Sequence, residues 1–270
     1  MLLEEKLARL SGKTCLVTGA ARGMGLAIAD ALVREGGNVV YADLDDQIAA
    51  IAGKAKDRVR GGSGRALGVR LDVAERSQVR AGVERAVAEF GALHVMFNNA
   101  GLNKPMNFLD VTEDNWNLIM KVNALGVLIG TQEAAKQMIS QGTGGKIINT
   151  ASIAGRQGYD NIAPYCASKF SVISLTQSAA RALARHNITV NGFAPGVVAT
   201  PLWEQLDKDL MAIGASERPG QAMAEFSAGI LRGRAATPDD ITGTTTFLAS
   251  PESDYMTGQI MMIDGGMVLV

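Results

Sequence analysis

Tyr165 and Lys169 stand four residues apart at the head of a long apolar, helix-like run, "PYCASKFSVISLTQ" (164–177). On a helix that spacing puts both side chains on one face, with β-carbons about 5–6 Å apart. A phenol with a pKa near about 10 is a poor base at neutral pH. A neighbouring ammonium favours the phenolate and draws the hydroxyl toward the range where it can exchange a proton with an alcohol or ketone oxygen. Taken alone, such a pair is an ordinary surface feature. Ser152 changes the weighing: in "NTASIAG", thirteen residues before Tyr165, it brings a second hydroxyl to the expected end of a strand. From there it can donate to a substrate oxygen and turn it toward the tyrosine.

A second group of residues has the spacing of a nucleotide site. "TCLVTGAARGMGLAIADAL" sets Gly19, Gly23 and Gly25, with Arg22 and Met24 between them, where a strand gives way to a helix. Glycines there let the backbone approach a pyrophosphate, and the helix N-terminus supplies free N–H groups and positive potential. The same glycines also serve as plain turn devices. The following strand-like run ends in Asp43, 18 residues beyond Gly25, where a carboxylate can bind both ribose hydroxyls of an adenosine and repel a 2′-phosphate. Arg22 pulls the other way, because a guanidinium in the turn can pair with that phosphate. A phosphate forced against a carboxylate loses more than a nearby Arg returns, so the pattern predicts NAD. Asp72 and Val73 close the third strand-like run, where the carboxylate can take an adenine amino proton or cap the next helix. "NNAG", from Asn98 through Ala100 to Gly101, closes the fourth.

The elements that must position these groups alternate along nearly the whole chain, which is the pattern of βαβ units and a parallel sheet. Strand-like runs cover 14–18, 38–43, 65–73, 93–99, 146–152, 188–195 and 259–264. Helical patterns cover roughly 23–35, 45–60, 75–90, 113–140, 163–186 and 238–249. The predicted class is α/β, three layers with a seven-stranded parallel sheet covered by helices on both faces. The 270 residues read as a single domain. The stretch 197–234 breaks the rhythm, and an insertion of that length usually serves as a lid or clamp.

Composition excludes several classes. The net charge is −1, with Lys and Arg scattered, so no footprint for nucleic acid or anionic lipid emerges. Cys15 and Cys166 read as buried thiols of a reducing compartment rather than a disulfide. His94 and His186 lack Cys or carboxylate neighbours at ligand spacing, so both read as structural and no metal is expected. The short apolar N-terminus carries Glu4 and Glu5 and lacks a small-residue cleavage site, and no long apolar run follows. These features predict a soluble, cytoplasmic protein with a small-molecule partner.

Gly19-x-x-x-Gly23-x-Gly25, Asn98-Asn99-Ala100-Gly101, Asn123, Ser152 and Tyr165-Cys166-Ala167-Ser168-Lys169 together resemble the short-chain dehydrogenase/reductase family, in order and at family spacing, from Gly12 to Gly266. The resemblance implies a Rossmann-type fold and hydride transfer between C4 of a nicotinamide and a carbinol or carbonyl carbon. It implies that Tyr165 is the acid/base, that Ser152 positions the reacting oxygen, that Lys169 lowers the tyrosine pKa and binds the nicotinamide ribose, and that Asn123 holds a proton-relaying water. It also places Pro195, Gly196, Val198 and Thr200 of "PGVVATP" against the nicotinamide, and implies a homotetramer; the apolar tail "MVLV" reads as a subunit contact.

Within the family the C-terminal third most resembles bacterial sorbitol (polyol) dehydrogenases and meso-2,3-butanediol/acetoin reductases. Those enzymes often carry Gln directly after the Ser and a polar residue some seven positions beyond it, where this chain has Ile153 and Tyr159. A less polar secondary alcohol is thereby admitted beside a small polyol or vicinal diol. Trp203 and 197–234 are expected over the substrate, although simple core packing also accounts for Trp203. A 3-oxoacyl thioester reductase and a nucleotide-sensing protein without turnover are the competing readings. Asp43 argues against the first, and the intact Ser152, Tyr165 and Lys169 argue against the second.

Overall fold

The computed structural model describes residues 8–59 and 61–269. Its strands are β1 (Thr14–Thr18), β2 (Asn38–Asp43), β3 (Ala66–Arg70), β4 (Val95–Asn98), β5 (Gly145–Thr150), β6 (Ile188–Pro195) and β7 (Ile260–Ile263). All pair in parallel in the order β3-β2-β1-β4-β5-β6-β7. The direction of winding reverses between β1 and β4, which opens a crevice at their carboxyl ends.

The helices are α1 (Gly23–Arg34), α2 (Ile48–Gly53), α3 (Ala55–Arg58), α4 (Arg76–Phe90), α5 (Glu113–Met120), α6 (Gly126–Gln141), α7 (Ala163–Leu183), α8 (Pro201–Ala212), α9 (Gln221–Ala228) and α10 (Pro238–Ala249). Successive strand residues point to opposite faces of a sheet, and the core divides accordingly. Cys15, Val17, Val39 and Tyr41 pack with α1 and α10, while Leu16, Val40 and Ala42 pack with α4 and α6. A sheet buried on both faces is why its strands read as unbroken apolar runs.

The differences from the sequence expectation are local. The helix expected over 45–60 is two short pieces, α2 and α3, divided at Gly53–Lys54, where glycine is a poor helix former. The helix expected over 113–140 is interrupted by a π-helical turn at Lys121–Leu125 that carries Asn123. β3 stops at Arg70 and β5 at Thr150, so Asp72 and Ser152 lie in the turns beyond their strands. In 197–234, α8 and α9 form a helical pair closed at its base by a bridge between Val198 and Ala236. Among the described residues, no helix is long and apolar enough to cross a membrane.

Candidate active site

Pro164 occupies the first turn of α7, where a missing N–H costs nothing, and Tyr165 and Lys169 follow on one face of the helix. The Lys169 Nζ lies 5.5 Å from the Tyr165 ring centroid and donates to the Thr150 carbonyl at 2.8 Å. Ser168, between them, donates to the Tyr165 carbonyl at 2.7 Å and accepts from Asn123 Nδ2 at 3.1 Å. Asn123 also donates to the Leu102 carbonyl and accepts from the Leu102 N–H, each at 2.9 Å. The fully buried Asn123 amide thus ties the loop after β4 to α7, and the π-helical turn aims it there.

Ser152 caps the single 3₁₀ turn Ile153–Gly155, its Oγ accepting from the Ala154 N–H at 3.1 Å. Burial pushes the Tyr165 phenol up to about 12, and the approach of the Ser152 hydroxyl opposes that rise. Burial also pushes the Lys169 ammonium down to about 8. The sequence expectation is a phenol drawn down by Lys169; in the folded chain desolvation is the largest influence on both groups, and the ammonium faces the ring while bonding the Thr150 carbonyl.

The glycine turn is a backbone cradle. Gly19 has φ +68°, and a β-carbon there would stand 2.9 Å from Ala100 Cα. One on Gly25 would collide with the Gly19 carbonyl. Asp43 spans the turn, its Oδ2 accepting from the Ala21 N–H at 2.9 Å and its Oδ1 from the Asp45 N–H at 3.2 Å. Thr18 Oγ1 donates to the Phe97 carbonyl and accepts from the Asn99 and Ala100 N–H groups, which joins the ends of β1 and β4.

Three cavities meet around these groups. A cleft of about 480 Å³ is lined by Gly19, Arg22, Gly23, Met24, Gly25, Asp43, Asp72, Val73, Ala100, Gly101 and Thr200, all singled out from the sequence. A second, of about 250 Å³, is lined by Ser152, Ile153, Tyr159, Tyr165 and Trp203, again all anticipated. A small one of about 70 Å³ touches Met24, Ser152, Tyr165 and Lys169 together with Pro195, Gly196, Val198 and Thr200. The geometry can hold a dinucleotide along the cleft and bring its reactive end beside two hydroxyls and an amine.

One anticipated residue sits otherwise, and another takes its expected place without the capping role. Asn98, the last residue of β4, turns its amide into the sheet, donating to Thr131 Oγ1 at 3.1 Å and Asn149 Oδ1 at 2.9 Å. Its neighbour Asn99 faces the cleft instead and donates to the Thr18 carbonyl at 2.9 Å. Strand alternation is the reason, since adjacent residues point to opposite sides. Asp72 does not cap α4, whose N-cap is Glu75; its Oδ1 braces the turn by accepting from the Ala74 N–H at 2.8 Å, and it lines the cleft. His94 Nδ1 accepts from the Thr14 N–H at 2.9 Å, a structural task. The sequence reading missed Phe226, whose ring lies 5.5 Å from both Tyr159 and Trp203. Only its place in the insertion hinted at it.

A family profile described as "Enoyl-(Acyl carrier protein) reductase" matches residues 19–268. The chain is 39% identical to a diacetyl reductase [(S)-acetoin forming] of Staphylococcus epidermidis, over 95% of this chain and 98% of that one. It is 41% identical to a galactitol 2-dehydrogenase of Agrobacterium fabrum, over 96% of this chain and 98% of that one. The crystal structure of a short-chain type dehydrogenase/reductase from Mycobacterium marinum matches with a TM-score of 0.86 at 33% identity, covering 99% of this chain and 100% of that one. The chain belongs to the short-chain dehydrogenase/reductase family. As a short-chain dehydrogenase/reductase it is an NAD(P)-dependent oxidoreductase acting on the CH–OH group of a small-molecule alcohol or the matching ketone.

Proposed function

We propose that this short-chain dehydrogenase/reductase is NAD-preferring and interconverts a small vicinal diol or polyol and its ketone. The observation that carries the reading is the small cavity at Tyr165, Ser152 and Lys169, which shares Met24, Gly101 and Thr200 with the glycine-lined cleft and Ser152, Tyr165 and Trp203 with the second cavity. Diacetyl reductase and galactitol 2-dehydrogenase, the relatives named above, support the substrate class. The carboxylate of Asp43 in the cleft supports NAD, because it would repel a 2′-phosphate and bind free ribose hydroxyls.

In this reading Gly19, Gly23 and Gly25 admit the pyrophosphate to the N-terminus of α1, and Asp43 takes the adenosine ribose. Asp72, Val73, Ala100 and Gly101 border the rest of the nucleotide, while Pro195, Gly196, Val198 and Thr200 border its nicotinamide. When bound, the nicotinamide supplies or accepts the hydride. The chain supplies proton management and orientation. Ser152 donates to the substrate oxygen, and Tyr165 Oη gives that oxygen a proton on ketone reduction or takes one on alcohol oxidation. Lys169 places positive charge against the tyrosine and is positioned for a ribose hydroxyl; Asn123 holds the loop after β4 against α7. Ile153, Tyr159 and Trp203 border the substrate, and the insertion 197–234 covers it within one catalytic domain.

A cytoplasmic homotetramer completes the reading. Support comes from large apolar side chains exposed on the single chain, Trp116 on α5 and Phe170 on α7, and from the tail residue Leu269. Purified protein should oxidise vicinal diols with NAD and elute as a tetramer. An enzyme that binds NADH yet turns over no diol or polyol would refute the substrate reading.

A further inference from the structure

The second cavity has a composition that narrows the substrate. Apart from Ser152 and Tyr165, its surface is built largely from Ile153, Ile162, Trp203, Leu206, Leu210 and Phe226. The Phe226 ring, contributed by α9, stands 5.5 Å from Tyr159 after β5 and 5.5 Å from Trp203 on α8, so three aromatic rings form one wall. Tyr165 itself packs on the apolar cluster of Ala154, Ile162, Leu206 and Leu210.

The polar side chains around this cavity are divided: Tyr159, Asp160 and Glu225 each accept one hydrogen bond, whereas Asn103, Asn161 and Ser216 are not so engaged. The Tyr159 hydroxyl accepts from Gln157 Nε2 at 2.6 Å, Glu225 accepts from Gln221 at 2.8 Å, and Asp160 Oδ1 accepts from the Asn161 N–H at 3.0 Å. The Asn103 Oδ1 is sealed from solvent and has no partner among the described residues. The side chains of Asn161 and Ser216 are left to meet a ligand.

We propose that the carbinol carbon of the substrate carries an extended hydrocarbon or aromatic arm lying against the Tyr159–Phe226–Trp203 wall, rather than a chain of further hydroxyls. The inference rests on Tyr165 as the proton donor and acceptor, and narrows the substrate class to the diol side. A hexitol laid along that wall brings the hydroxyls on that side against rings and methyl groups. Each one desolvated without a partner weakens transition-state binding roughly ten- to hundred-fold. Each methylene laid on the same wall strengthens it about four-fold.

The test is a series of substrates with NAD and purified protein: 2,3-butanediol, 2,3-hexanediol, 2,3-octanediol, 1-phenyl-1,2-propanediol, galactitol and sorbitol. The kcat/KM is expected to climb about four-fold per methylene until the cavity is filled, with both hexitols at least roughly a hundred-fold below hexanediol. In Phe226→Ala, and in the gentler Phe226→Leu, the loss on octanediol should exceed the loss on butanediol. A hexitol turned over as well as hexanediol would overturn the proposal while leaving Tyr165 in its role. So would a flat diol series, which the native protein reports without any variant. Absence of turnover on every alcohol, with NADH binding intact by fluorescence, would overturn the parent reading and this one with it.

Discussion

The Lys169 ammonium rests 5.5 Å from the centre of the Tyr165 ring, one helical turn away, and its hydrogen bond goes to the Thr150 carbonyl rather than to the phenol. The ammonium faces the ring, with Lys169 buried and Tyr165 partly buried at the edge of the cavity. Desolvation keeps the phenol protonated, pushed up to about 12, and brings the amine down to about 8. A protonated phenol suits ketone reduction; alcohol oxidation needs the phenolate. The expected pH–rate profiles are opposite in sign, with oxidation accelerating as pH rises through the alkaline range and reduction declining above about 8, where Lys169 loses its charge.

Tyr165→Phe removes the one hydroxyl that can exchange the proton. Turnover is expected to fall by roughly 10²–10⁴-fold or more, while NADH still binds. Fluorescence titration of NADH beside steady-state kinetics checks this. A protein that senses nucleotide without turning over substrate would behave alike with and without the hydroxyl.

Asp43 holds the Ala21 and Asp45 N–H groups and lines the nucleotide cleft beside Arg22. Asp43→Ser removes the charge that opposes a 2′-phosphate and leaves Arg22 to attract it. The ratio of kcat/KM for NAD over NADP should drop by at least about ten-fold, which corresponds to about 1.4 kcal/mol. Comparable efficiency of the native protein with both cofactors would sink the role given to Asp43.

Gly25→Ala would drive a methyl group into the Gly19 carbonyl, with the Asn99 amide nitrogen only 2.7 Å from the new carbon. Relief requires the turn to open, which spoils the cradle for a pyrophosphate. The KM for cofactor is expected to rise by more than ten-fold, with a smaller loss of thermal stability. Isothermal titration with NADH and a melting curve separate the two effects.

Glu133 of α6 accepts from Arg76 at 2.7 Å, Arg80 at 3.0 Å and Lys136 at 2.8 Å, the first two reaching over from α4. Burial alone would raise its carboxyl, but the three cations outweigh it and hold the group near about 2. The folded value is depressed, so the stabilisation is complete above the unfolded value of about 4.3 and fades as pH falls toward about 2. Glu133→Gln should lower stability by about 1–2 kcal/mol at neutral pH, since the cations are half-exposed and screened, which is a few degrees in Tm. The gap from the native protein should close in acid.

Much of the architecture is visible in the chain before any folding is considered. β6 falls on Ile188–Pro195 as the apolar run suggests, and β1 and β2 likewise match their runs. Buried parallel strands are legible because apolar residues predominate on both faces, and the few buried polar ones, such as Asn98 and Asn149, bond to each other. Boundaries set by hydrogen-bond competition were less so. Ser152 reads as the last residue of a strand, yet β5 ends at Thr150 and the Ser152 hydroxyl caps the turn that follows. The π-helical turn that aims Asn123 is not anticipated from the sequence, where the run 113–140 reads as one helix.

Residue type and spacing alone settled the chemistry on offer: a phenol, an amine and a hydroxyl in register with a glycine-rich turn and a carboxylate. Those are local or periodic properties, and a chain carries them wherever it folds. Three-dimensional packing decided what no spacing encodes. It chose Asn99 over Asn98 for the cleft, laid Lys169 on the ring face of Tyr165, and brought Phe226 from a distant helix to complete the aromatic wall. Desolvation and side-chain direction depend on neighbours remote in sequence, and those neighbours exist only once the sheet and its covering helices have closed.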